Sequence, residues 1–355
     1  MLPDLDLQSK PRSICVLRLS AIGDTCHALA VIRRLQDTWP DSDITWIIGR
    51  TEAGLMSDIP DIDFVVFDKS RGRAAYHDVR AALAGRHFDV ALCMHASMRA
   101  NFLIRLLPAD VRLGFDRRRA RDFQWLLTSR RIAPARGEHA MEAMMGFATA
   151  IGAGEHALRW DIPLPEADRA FAAGYRASGR PLVVISPCTS QRARNYRNWG
   201  AANFAAIIDH LSRRYGARVV ITGGPSDLEI EYGSRLASAE GVDNLVGATT
   251  LKRLAALIAE ADLVICPDSG PAHIATALGT GVVGLYATSN PSRTGPYLSQ
   301  KYTINRYPDA ISRYLGKNVA DLRWGQRVRH ADAMDLITVA DVVEKIDLFF
   351  DDRGN

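Results

Sequence analysis

The segment 262–297 carries polar side chains at positions where they could bind a negatively charged ligand. A fully apolar run, Leu263–Cys266, predicts a buried strand of a parallel sheet. The run gives way to Asp268-Ser269-Gly270, and a helix is expected to follow over Ala272–Leu278. Backbone amides and the helix dipole at such a helix start attract phosphate, although Asp268 and Ser269 could also do no more than cap the helix.

A second polar loop follows the next predicted strand, Val282–Tyr286. In an open α/β sheet, ligands bind in the crevice outside the carboxyl ends of the strands. Both loops fall at that edge, which favours a ligand site over simple helix capping. His273 is expected to face the same edge from the first turn of the helix, with a structural histidine as the alternative. The polar residues of the second loop are Asn290, Ser292, Arg293 and Thr294.

Asp24 lies where the first predicted strand, Ile14–Leu19, gives way to a helix that begins near Thr25. Gly23 before it lets the backbone pass close to a ligand. A carboxylate there could act as a general base, or it could only cap the helix. Because a helix amino terminus favours the ionised carboxylate, such a base can accept the proton of a weakly acidic hydroxyl only if proton transfer comes late in the reaction. His27, one turn on, is expected on the helix surface.

Two loops in the second half of the chain add further groups to the predicted binding edge. Arg197 follows the strand Leu182–Ser186 and could neutralise the negative charge of a ligand, although Arg192 and Arg194 share its loop. Thr222-Gly223 ends another strand. The acids after it, Asp227, Glu229 and Glu231, could each accept hydrogen bonds from ligand hydroxyl groups or simply begin a helix.

Three of these motifs resemble segments of one enzyme family, the heptosyltransferases of glycosyltransferase family 9. They are D-S-G-P-A-H-I-A-T-A-L-G followed by S-N-P-S-R-T-G-P-Y, the loop Ser20-Ala21-Ile22-Gly23-Asp24, and Arg197-Asn198-Trp199. The resemblance runs over about residues 13–300, in the family's order. It implies that Asp24 is the catalytic base and that Arg197, where family members often have Lys, contacts the donor diphosphate. Residues and resemblance together predict a donor-binding set of Arg197, Thr222, Gly223, Asp268, Ser269, Gly270, His273 and Arg293.

Arginines are concentrated between Arg99 and Arg136, where the chain has ten of them and only three acidic residues. A solvated helix face usually interleaves acids with lysines, whereas arginine suits bidentate binding of phosphate or carboxylate. We expect a surface that binds a phosphorylated glycan or anionic lipid headgroups. Nucleic acid is not expected as a partner, because no recognition motif or stacking-aromatic pattern accompanies the arginines. The predicted acceptor-binding residues are Arg99, Arg117, Arg118, Arg119 and Arg121.

Length and composition indicate the broad class of protein. A chain of 355 residues with 47% apolar and 24% charged residues is typical of a globular protein with two domains. No apolar run reaches the roughly 18 residues that span a bilayer, and Met1–Ser13 lacks a signal-peptide core. The five cysteines have no paired spacing, which favours reduced thiols and a cytoplasmic protein. Peripheral contact with the inner face of the inner membrane is a further expectation.

Several cofactor classes are not expected. The chain has neither C-x-x-C nor H-E-x-x-H, so no metal site is predicted. The D-x-D triplets Asp41–Asp43 and Asp61–Asp63 lead into the starts of predicted strands, the wrong edge of the sheet for a metal-bound diphosphate. No G-x-G-x-x-G follows a strand, which disfavours a nicotinamide or flavin dehydrogenase. The interpretation therefore needs no cofactor beside the donor substrate.

Alternating strands and helical segments position these motifs. The predicted strands are Ile14–Leu19, Ile44–Ile48, Phe64–Phe67, Val90–Met94 and Val111–Phe115 in the first half, and Leu182–Ser186, Arg218–Thr222, Leu263–Cys266 and Val282–Tyr286 in the second. This alternation predicts parallel sheets. The prolines of Ile162-Pro163-Leu164-Pro165 mark a stiff connection.

The resemblance implies an α/β protein of the GT-B class, with two doubly wound Rossmann-like domains facing each other across a cleft. We expect an acceptor-binding domain over 1–165 and a nucleotide-sugar-binding domain over 166–335. A closing helix in 336–355 is expected to pack back on the first domain.

The resemblance therefore implies a glycosyltransferase of lipopolysaccharide biosynthesis in a Gram-negative bacterium. The resemblance implies an inverting, metal-independent transfer of L-glycero-D-manno-heptose from ADP-heptose to the Kdo region of the inner core, with Kdo–lipid A as the acceptor. L-R-L-S-A-I-G-D followed by Cys26-His27 looks most like the Kdo-directed branch, heptosyltransferase I. The alternatives are heptosyltransferase II, a GT-B sugar-nucleotide epimerase, and a non-catalytic sugar-nucleotide-binding protein.

Overall fold

The structure is a computed structural model, and it describes residues 10–176, 179–189, 195–238 and 241–354. The chain divides into two compact units, Met1–Pro163 and Leu164–Asn355. The division lies within the proline-containing segment that the sequence indicated as a connection. None of the described helices combines the length and the apolar character that crossing a membrane would need.

Six parallel strands form the sheet of the first unit, in the order β3-β2-β1-β4-β5-β6. The strands are β1 (Ser13–Leu17), β2 (Asp43–Gly49), β3 (Asp63–Phe67), β4 (Phe88–Leu92), β5 (Ala109–Gly114) and β6 (Arg130–Arg131). The helices are α1 (Ile22–Thr38), α2 (Arg50–Met56), α3 (Ala74–Ala82), α4 (Met98–Ile104) and α5 (Ala140–Ala150). In the register of the sheet, Ile14 of β1 lies between Ile44 of β2 and Val90 of β4.

The second unit repeats this architecture, with six parallel strands in the order β12-β11-β10-β7-β8-β9. The strands are β7 (Leu182–Ile185), β8 (Arg218–Ile221), β9 (Val242–Asn244), β10 (Leu263–Pro267), β11 (Gly281–Tyr286) and β12 (Ile304–Asn305). The helices are α6 (Glu166–Ala173), α7 (Ala201–Tyr215), α8 (Asp227–Leu236), α9 (Leu251–Glu260), α10 (Gly270–Leu278), α11 (Pro291–Thr294), α12 (Tyr307–Leu315) and α13 (Val339–Gly354).

Apolar runs become the central strands because helices cover both faces of a parallel sheet. Leu263, Val264, Ile265 and Cys266 of β10, for example, are completely buried. All nine predicted strands are present with ends within two residues of those expected, and the doubly wound parallel arrangement is confirmed. The edge strands β6, β9 and β12 were not predicted, because two or three residues form no apolar run.

Helix α13 packs into the core of the second unit. Its Val342, Ile346 and Phe349 belong to that unit's hydrophobic cluster, and the Phe350 ring stacks on Tyr215 of α7 at 4.3 Å. The Phe349 ring occupies the space that a side chain at Gly281 of β11 would need. These are contacts of the helix within its own unit. The expectation that 336–355 packs back on the first domain stays a prediction.

Each sheet reverses its strand order at one point. The chain moves outward from β1 to β3 and restarts at β4 on the other side of β1, and it does the same between β7 and β10. At such a point the connections leave in opposite directions, so a crevice opens at the carboxyl ends of the two strands. The connections there are 18–21 and 93–97 in the first unit, and 186–200 (described except for 190–194) and 268–269 in the second. The predicted motifs around Asp24, Arg197 and Asp268 therefore lie at the reversal points.

Candidate functional site

Asp268 is fixed at the carboxyl end of β10 by side chains from three other parts of the second unit. It is 6% exposed, and Ser289, which follows β11, donates a hydrogen bond from Oγ to Oδ2 at 2.9 Å. Arg197 donates from Nη1 to the Asp268 carbonyl oxygen at 2.7 Å, and the same nitrogen lies 3.5 Å from Oδ2. Arg327 Nη2 lies 3.8 Å from Oδ2 on a loop after α12. Residues far apart in the sequence thus form one cluster, which we call the donor cluster.

Positive charge exceeds negative charge in the donor cluster. The guanidinium groups of Arg197 and Arg327 both lie beside the Asp268 carboxylate, close to the amino terminus of α10, whose dipole favours an anion. Arg293 adds a third guanidinium group. Its side chain lies against Gly325, two residues before Arg327. Because guanidinium groups bind phosphate oxygens bidentately, the cluster is suited to a diphosphate.

The start of α10 has the geometry that the sequence indicated. The helix begins at Gly270 with Ser269 as its N-cap, and it ends at Gly279. Ser269 Oγ donates to the Pro267 carbonyl at 3.0 Å and makes no cap hydrogen bond, so its side chain does not act as a helix cap. His273, in the first turn, is 8% exposed.

The loop after β8 is closed by Glu229. Its carboxylate accepts from the Gly224 amide at 2.8 Å and from Ser226 Oγ at 2.5 Å. Thr222, 1% exposed, shares a 2.6 Å hydroxyl contact with Ser186 at the end of β7. Glu231 instead pairs with Arg235 on the outer face of α8. Of the three acids that the sequence left open, Glu229 is the one that faces Gly223 and Gly224.

Sequence reasoning missed Arg327. Its position depends on the turn at Gly325, where φ is 84°, and on the backbone hydrogen bond from Val328 to Thr288 at 3.0 Å, neither of which leaves a local signal. Arg192 and Arg194, the alternatives to Arg197, lie outside the described residues. Asn290 of the second polar loop is the N-cap of α11, since its Oδ1 accepts from the Ser292 amide at 3.0 Å.

In the first unit, Asp24 is the third residue of α1 rather than its cap. Ala21 is the N-cap, and its amide donates to Asp24 Oδ2 at 3.3 Å. The same oxygen forms an ion pair with Arg18 Nη2. Arg18 is 9% exposed and donates from Nη1 to the Met94 carbonyl at 2.6 Å, which ties the loop after β1 to the loop after β4. The Asp24 side chain is 36% exposed, so it can meet a substrate while Arg18 holds it from behind.

His95 completes this second group of residues, which we call the base cluster. Its Nδ1 accepts from the Leu19 amide at 3.2 Å, and Gln124 Nε2 donates to its carbonyl oxygen at 3.2 Å. Burial, followed by the nearby charge of Arg18, lowers the pKa of His95 to about 3, whereas Asp24 acts in the opposite direction. The ring is therefore neutral at pH 7, and it carries its proton on Nε2 because Nδ1 is an acceptor. Arg18 was not identified as a site residue from the sequence, although it interrupts the apolar run Ile14–Leu19. His95 was not identified either, because only the pairing of β4 with β1 brings this residue close to Leu19 and Asp24.

The predicted acceptor-binding arginines fall into two kinds. Arg99, Arg117, Arg118 and Arg121 are exposed. Arg119 instead forms ion pairs with Asp116 and Glu138 and donates to the Ala133 carbonyl. Each of its three guanidinium nitrogens contacts a protein group, so Arg119 joins loops of the first unit, an arrangement that gives no support to the acceptor-binding role.

Two other expectations concern residues near the sites. His27 was expected on the helix surface, but it is 3% exposed, and its ring meets the edge of the His139 ring at 5.7 Å. It is buried because α5 packs on that face of α1. The D-x-D triplets lie at the amino-terminal ends of β2 and β3, as expected. Within the described ranges, no three His, Cys, Asp or Glu side chains are grouped so as to hold a metal ion.

Comparison with known proteins points to one family. Residues 76–314 match the family model for glycosyltransferase family 9 (heptosyltransferase). The chain is 36% identical over 344 residues to the lipopolysaccharide core heptosyltransferase OpsX of Haemophilus influenzae, covering 96% of this chain and 98% of the relative. It is 25% identical to the lipopolysaccharide heptosyltransferase 3 of Escherichia coli, covering 92% and 95% of the two chains.

Solved structures share the fold. The glycosyl transferase family 9 protein from Veillonella parvula aligns with a TM-score of 0.76 at 22% identity, covering 96% of this chain and 99% of that one. The E. coli heptosyltransferase WaaC with ADP aligns with a TM-score of 0.74 at 19% identity, covering 95% and 99%. The GT-B class expected from the sequence is thus confirmed.

Proposed function

Because the chain belongs to glycosyltransferase family 9, the heptosyltransferases, we propose that it transfers L-glycero-D-manno-heptose from ADP-heptose to the Kdo region of the lipopolysaccharide inner core. The transfer proceeds with inversion at the anomeric carbon and without a metal ion. Membership makes the chain a glycosyltransferase, so the epimerase and the non-catalytic binding protein no longer compete. Family membership does not identify the donor, the acceptor or the mechanism, so these three elements of the proposal rest on the residues of the site.

The donor cluster is the observation that carries the proposal. Arg197 and Arg327 both lie within 4 Å of the Asp268 carboxylate, at 3.5 Å and 3.8 Å, and Arg293 lies beside the same loop. When the glycosidic bond to the diphosphate breaks, negative charge grows on the leaving oxygen. Cations fixed in advance stabilise that charge without reorganising during the reaction. The three guanidinium groups and the start of α10 can supply this stabilisation, which is why no metal ion is required in the proposal.

The base cluster supplies the other half of the reaction. Asp24 accepts the proton of the attacking acceptor hydroxyl as the new bond forms on the face opposite the leaving diphosphate, which gives inversion. Its ion pair with Arg18 holds the carboxylate in place and fixes the direction of the oxygen that accepts the proton. The neutral His95 adds no second positive charge beside this pair.

The exposed arginines of the first unit support an anionic acceptor. Arg117 lies 5.0 Å over the Trp125 ring, which holds its guanidinium group at the surface. Arg99, Arg118 and Arg121 are exposed as well, and a Kdo–lipid A acceptor offers them carboxylates and phosphates. An acceptor anchored in a bilayer requires the enzyme to work at the membrane surface, so we place it at the cytoplasmic face of the inner membrane.

Incubation with ADP-heptose and a set of acceptors, read by mass spectrometry, tests this function. Lipid A, Kdo–lipid A and heptosyl-Kdo–lipid A form the set. One heptose added to Kdo–lipid A alone supports the proposal, and addition only to the heptosylated acceptor shows heptosyltransferase II activity instead. No transfer to any of the three overturns it. EDTA is expected to leave turnover unchanged, and a rate lost in EDTA and restored by Mg²⁺ or Mn²⁺ would contradict the metal-free mechanism.

A further inference from the structure

Four strongly exposed apolar side chains lie in one part of the first unit. Met98, Phe102, Phe123 and Leu126 are 53%, 55%, 66% and 63% exposed. They are four of the five most exposed large apolar side chains among the residues that the structure describes. Single exposed apolar residues need no explanation, but a cluster indicates a surface that binds something.

Local geometry brings the four side chains together. Met98 and Phe102 are four residues apart on α4, so they share a helix face. Leu126 donates its amide hydrogen to the Phe123 carbonyl at 3.0 Å in a 3₁₀ turn, where residues three apart lie on the same side. The amide of Met98 donates to Asp122 Oδ2 at 3.0 Å, which joins the helix to the turn. We call these four residues the apolar patch.

The backbone of the turn is unusual for the residues that form it. Asp122 has φ of 51° and Phe123 has φ of 61°, a left-handed conformation that is uncommon for bulky residues. Asn101 Nδ2 holds the turn by donating to the Asp122 carbonyl. Asparagine or glycine would adopt this conformation more easily. A phenylalanine side chain that is two-thirds exposed and has a strained backbone contributes little to the stability of the fold. We therefore expect the Phe123 side chain to contact another molecule.

Arginines surround the apolar patch. Arg99 and Arg105 lie on and just after α4, and Arg121 directly precedes the turn; all three are exposed. The nearest acid, Asp122, accepts the Met98 amide hydrogen. A second copy of this chain would bring a like-charged rim against this one, and like charges across an interface oppose binding. An anionic lipid surface has the opposite charge and an apolar layer beneath it.

We propose that the apolar patch docks on an anionic phospholipid bilayer, with Phe102 and Phe123 inserted below the headgroups and the surrounding arginines bound to lipid phosphates. The proposal rests on the proposed function in one respect, since a lipid-anchored acceptor is what brings the enzyme to a bilayer. It adds the surface that makes the contact and the residues that insert.

Vesicle binding of the full chain tests the proposal without any sugar substrate. Vesicles of phosphatidylglycerol with phosphatidylcholine are compared with vesicles of phosphatidylcholine alone, by co-sedimentation. The wild-type chain is expected to bind the anionic vesicles. Phe102→Gln with Phe123→Asn is expected to weaken binding by about tenfold for each side chain removed, the effect of burying part of a phenylalanine in lipid. Asparagine suits the left-handed turn, so the fold is preserved.

A matched control separates insertion from general loss of apolar surface. Val66 and Leu158, 43% and 38% exposed, lie elsewhere on the first unit, and Val66→Thr with Leu158→Gln is expected to bind vesicles as the wild type does. A wild-type chain that does not bind the anionic vesicles overturns the proposal. Equal loss in both double variants overturns it as well. A change from dimer to monomer on replacing Phe102 and Phe123, with vesicle binding unchanged, would show that a second copy covers the patch.

Site-specific labelling measures the depth of insertion. All five native cysteines are buried, and burial raises the pKa of the Cys26, Cys93 and Cys266 thiols to about 12. A cysteine introduced as Phe123→Cys therefore reacts selectively with a polarity-sensitive fluorophore. Its emission is expected to shift to the blue on anionic vesicles, whereas the same label at Val66→Cys does not shift. A label at 123 that stays as polar as the label at 66 contradicts insertion.

Failure of this proposal is distinguishable from failure of the proposed function. The Phe102→Gln, Phe123→Asn variant is expected to transfer heptose to a short soluble Kdo glycan at the wild-type rate and to lose rate only on vesicle-bound acceptor. A wild-type chain that transfers heptose but ignores anionic vesicles refutes the docking surface alone. A chain that binds vesicles through the patch but transfers no heptose refutes the function alone.

Discussion

Replacing Asp24 by Asn tests the assignment of the base most directly. The variant keeps an oxygen for the Ala21 amide and nearly the same shape, but it cannot accept the acceptor proton. Removal of a positioned general base lowers kcat by roughly 10²- to 10⁴-fold. The measurement is the steady-state rate of ADP release with Kdo–lipid A, together with ADP binding by calorimetry. Donor affinity is expected to stay within a factor of two or three, because the donor cluster belongs to the second unit.

The cost to folding is too small to imitate this effect. The change replaces the ion pair with Arg18 by a neutral amide oxygen that can still accept from the guanidinium group, and the Asp24 side chain is 36% exposed, so the loss is at most that of a hydrogen bond to a charged group, about 1.5–3 kcal/mol. A domain of ordinary stability has at least about 5 kcal/mol. Even the larger cost leaves about 2 kcal/mol, which corresponds to roughly 97% folded protein. Unfolding thus accounts for a few per cent of activity and not for a factor of one hundred.

Asp37 provides a matched control on the same helix. It lies in the last turn of α1 and pairs with Arg159 at 2.6 Å, and it is 26% exposed where Asp24 is 36% exposed. Asp37→Asn is therefore expected to lose a comparable ion pair and to keep kcat. If Asp24→Asn turns over within threefold of the wild type, Asp24 is not the base. Equal losses in the two variants would assign the effect to helix α1 as a whole.

Two further predictions follow from the same clusters. Arg327→Gln is expected to raise the donor KM and to lower kcat, each by about tenfold, because the diphosphate charge is present in the bound substrate and grows in the transition state. Arg329→Gln, two residues away, is the control. Equal donor kinetics in the two variants would show that Arg327 does not belong to the donor site. His95 is neutral in the folded chain with a pKa of about 3, whereas an unfolded histidine titrates near 6.5. Its contribution to stability is therefore complete above pH 6.5 and is lost as the pH falls from 6.5 to 3, at no more than about 1.4 kcal/mol per pH unit. In urea unfolding, His95→Gln is expected to flatten that pH dependence, and an unchanged slope would contradict the buried neutral histidine.

The central strands were predictable because each is buried on both faces and so needs an unbroken apolar run. The start of α10 was predictable as well, since Asp268-Ser269-Gly270 follows such a run directly. The partners of these motifs were not predictable, because sheet order brings them together from distant parts of the chain. The His95 ring contacts the amide of Leu19, which is 76 residues away in the sequence. Arg327 lies beside Asp268 because of the turn at Gly325, which no sequence motif predicts.

Some missed features did leave a local signal. Arg18 interrupts the apolar run Ile14–Leu19, and a charged side chain within a run expected to be buried needs a partner. Arg119 follows Asp116 by three residues, the spacing of a pair within one turn. That spacing indicated a structural role rather than acceptor binding. The neighbours of the last helix were harder to predict, because an apolar helix face does not identify the elements that it packs against.

The residues of the donor cluster are far apart in the sequence, so the ribosome adds them to the chain at different times. Arg197 and Asp268 are 71 residues apart in sequence, and Arg327 follows later still. At about 5–20 residues per second, a ribosome adds Asp268 several seconds after Arg197, when all six strands of the first sheet have already been synthesised. The proposed diphosphate site is therefore incomplete until Arg327 has been added. Nucleotide binding during synthesis or refolding would thus report that the loops carrying Arg197, Asp268 and Arg327 have come together.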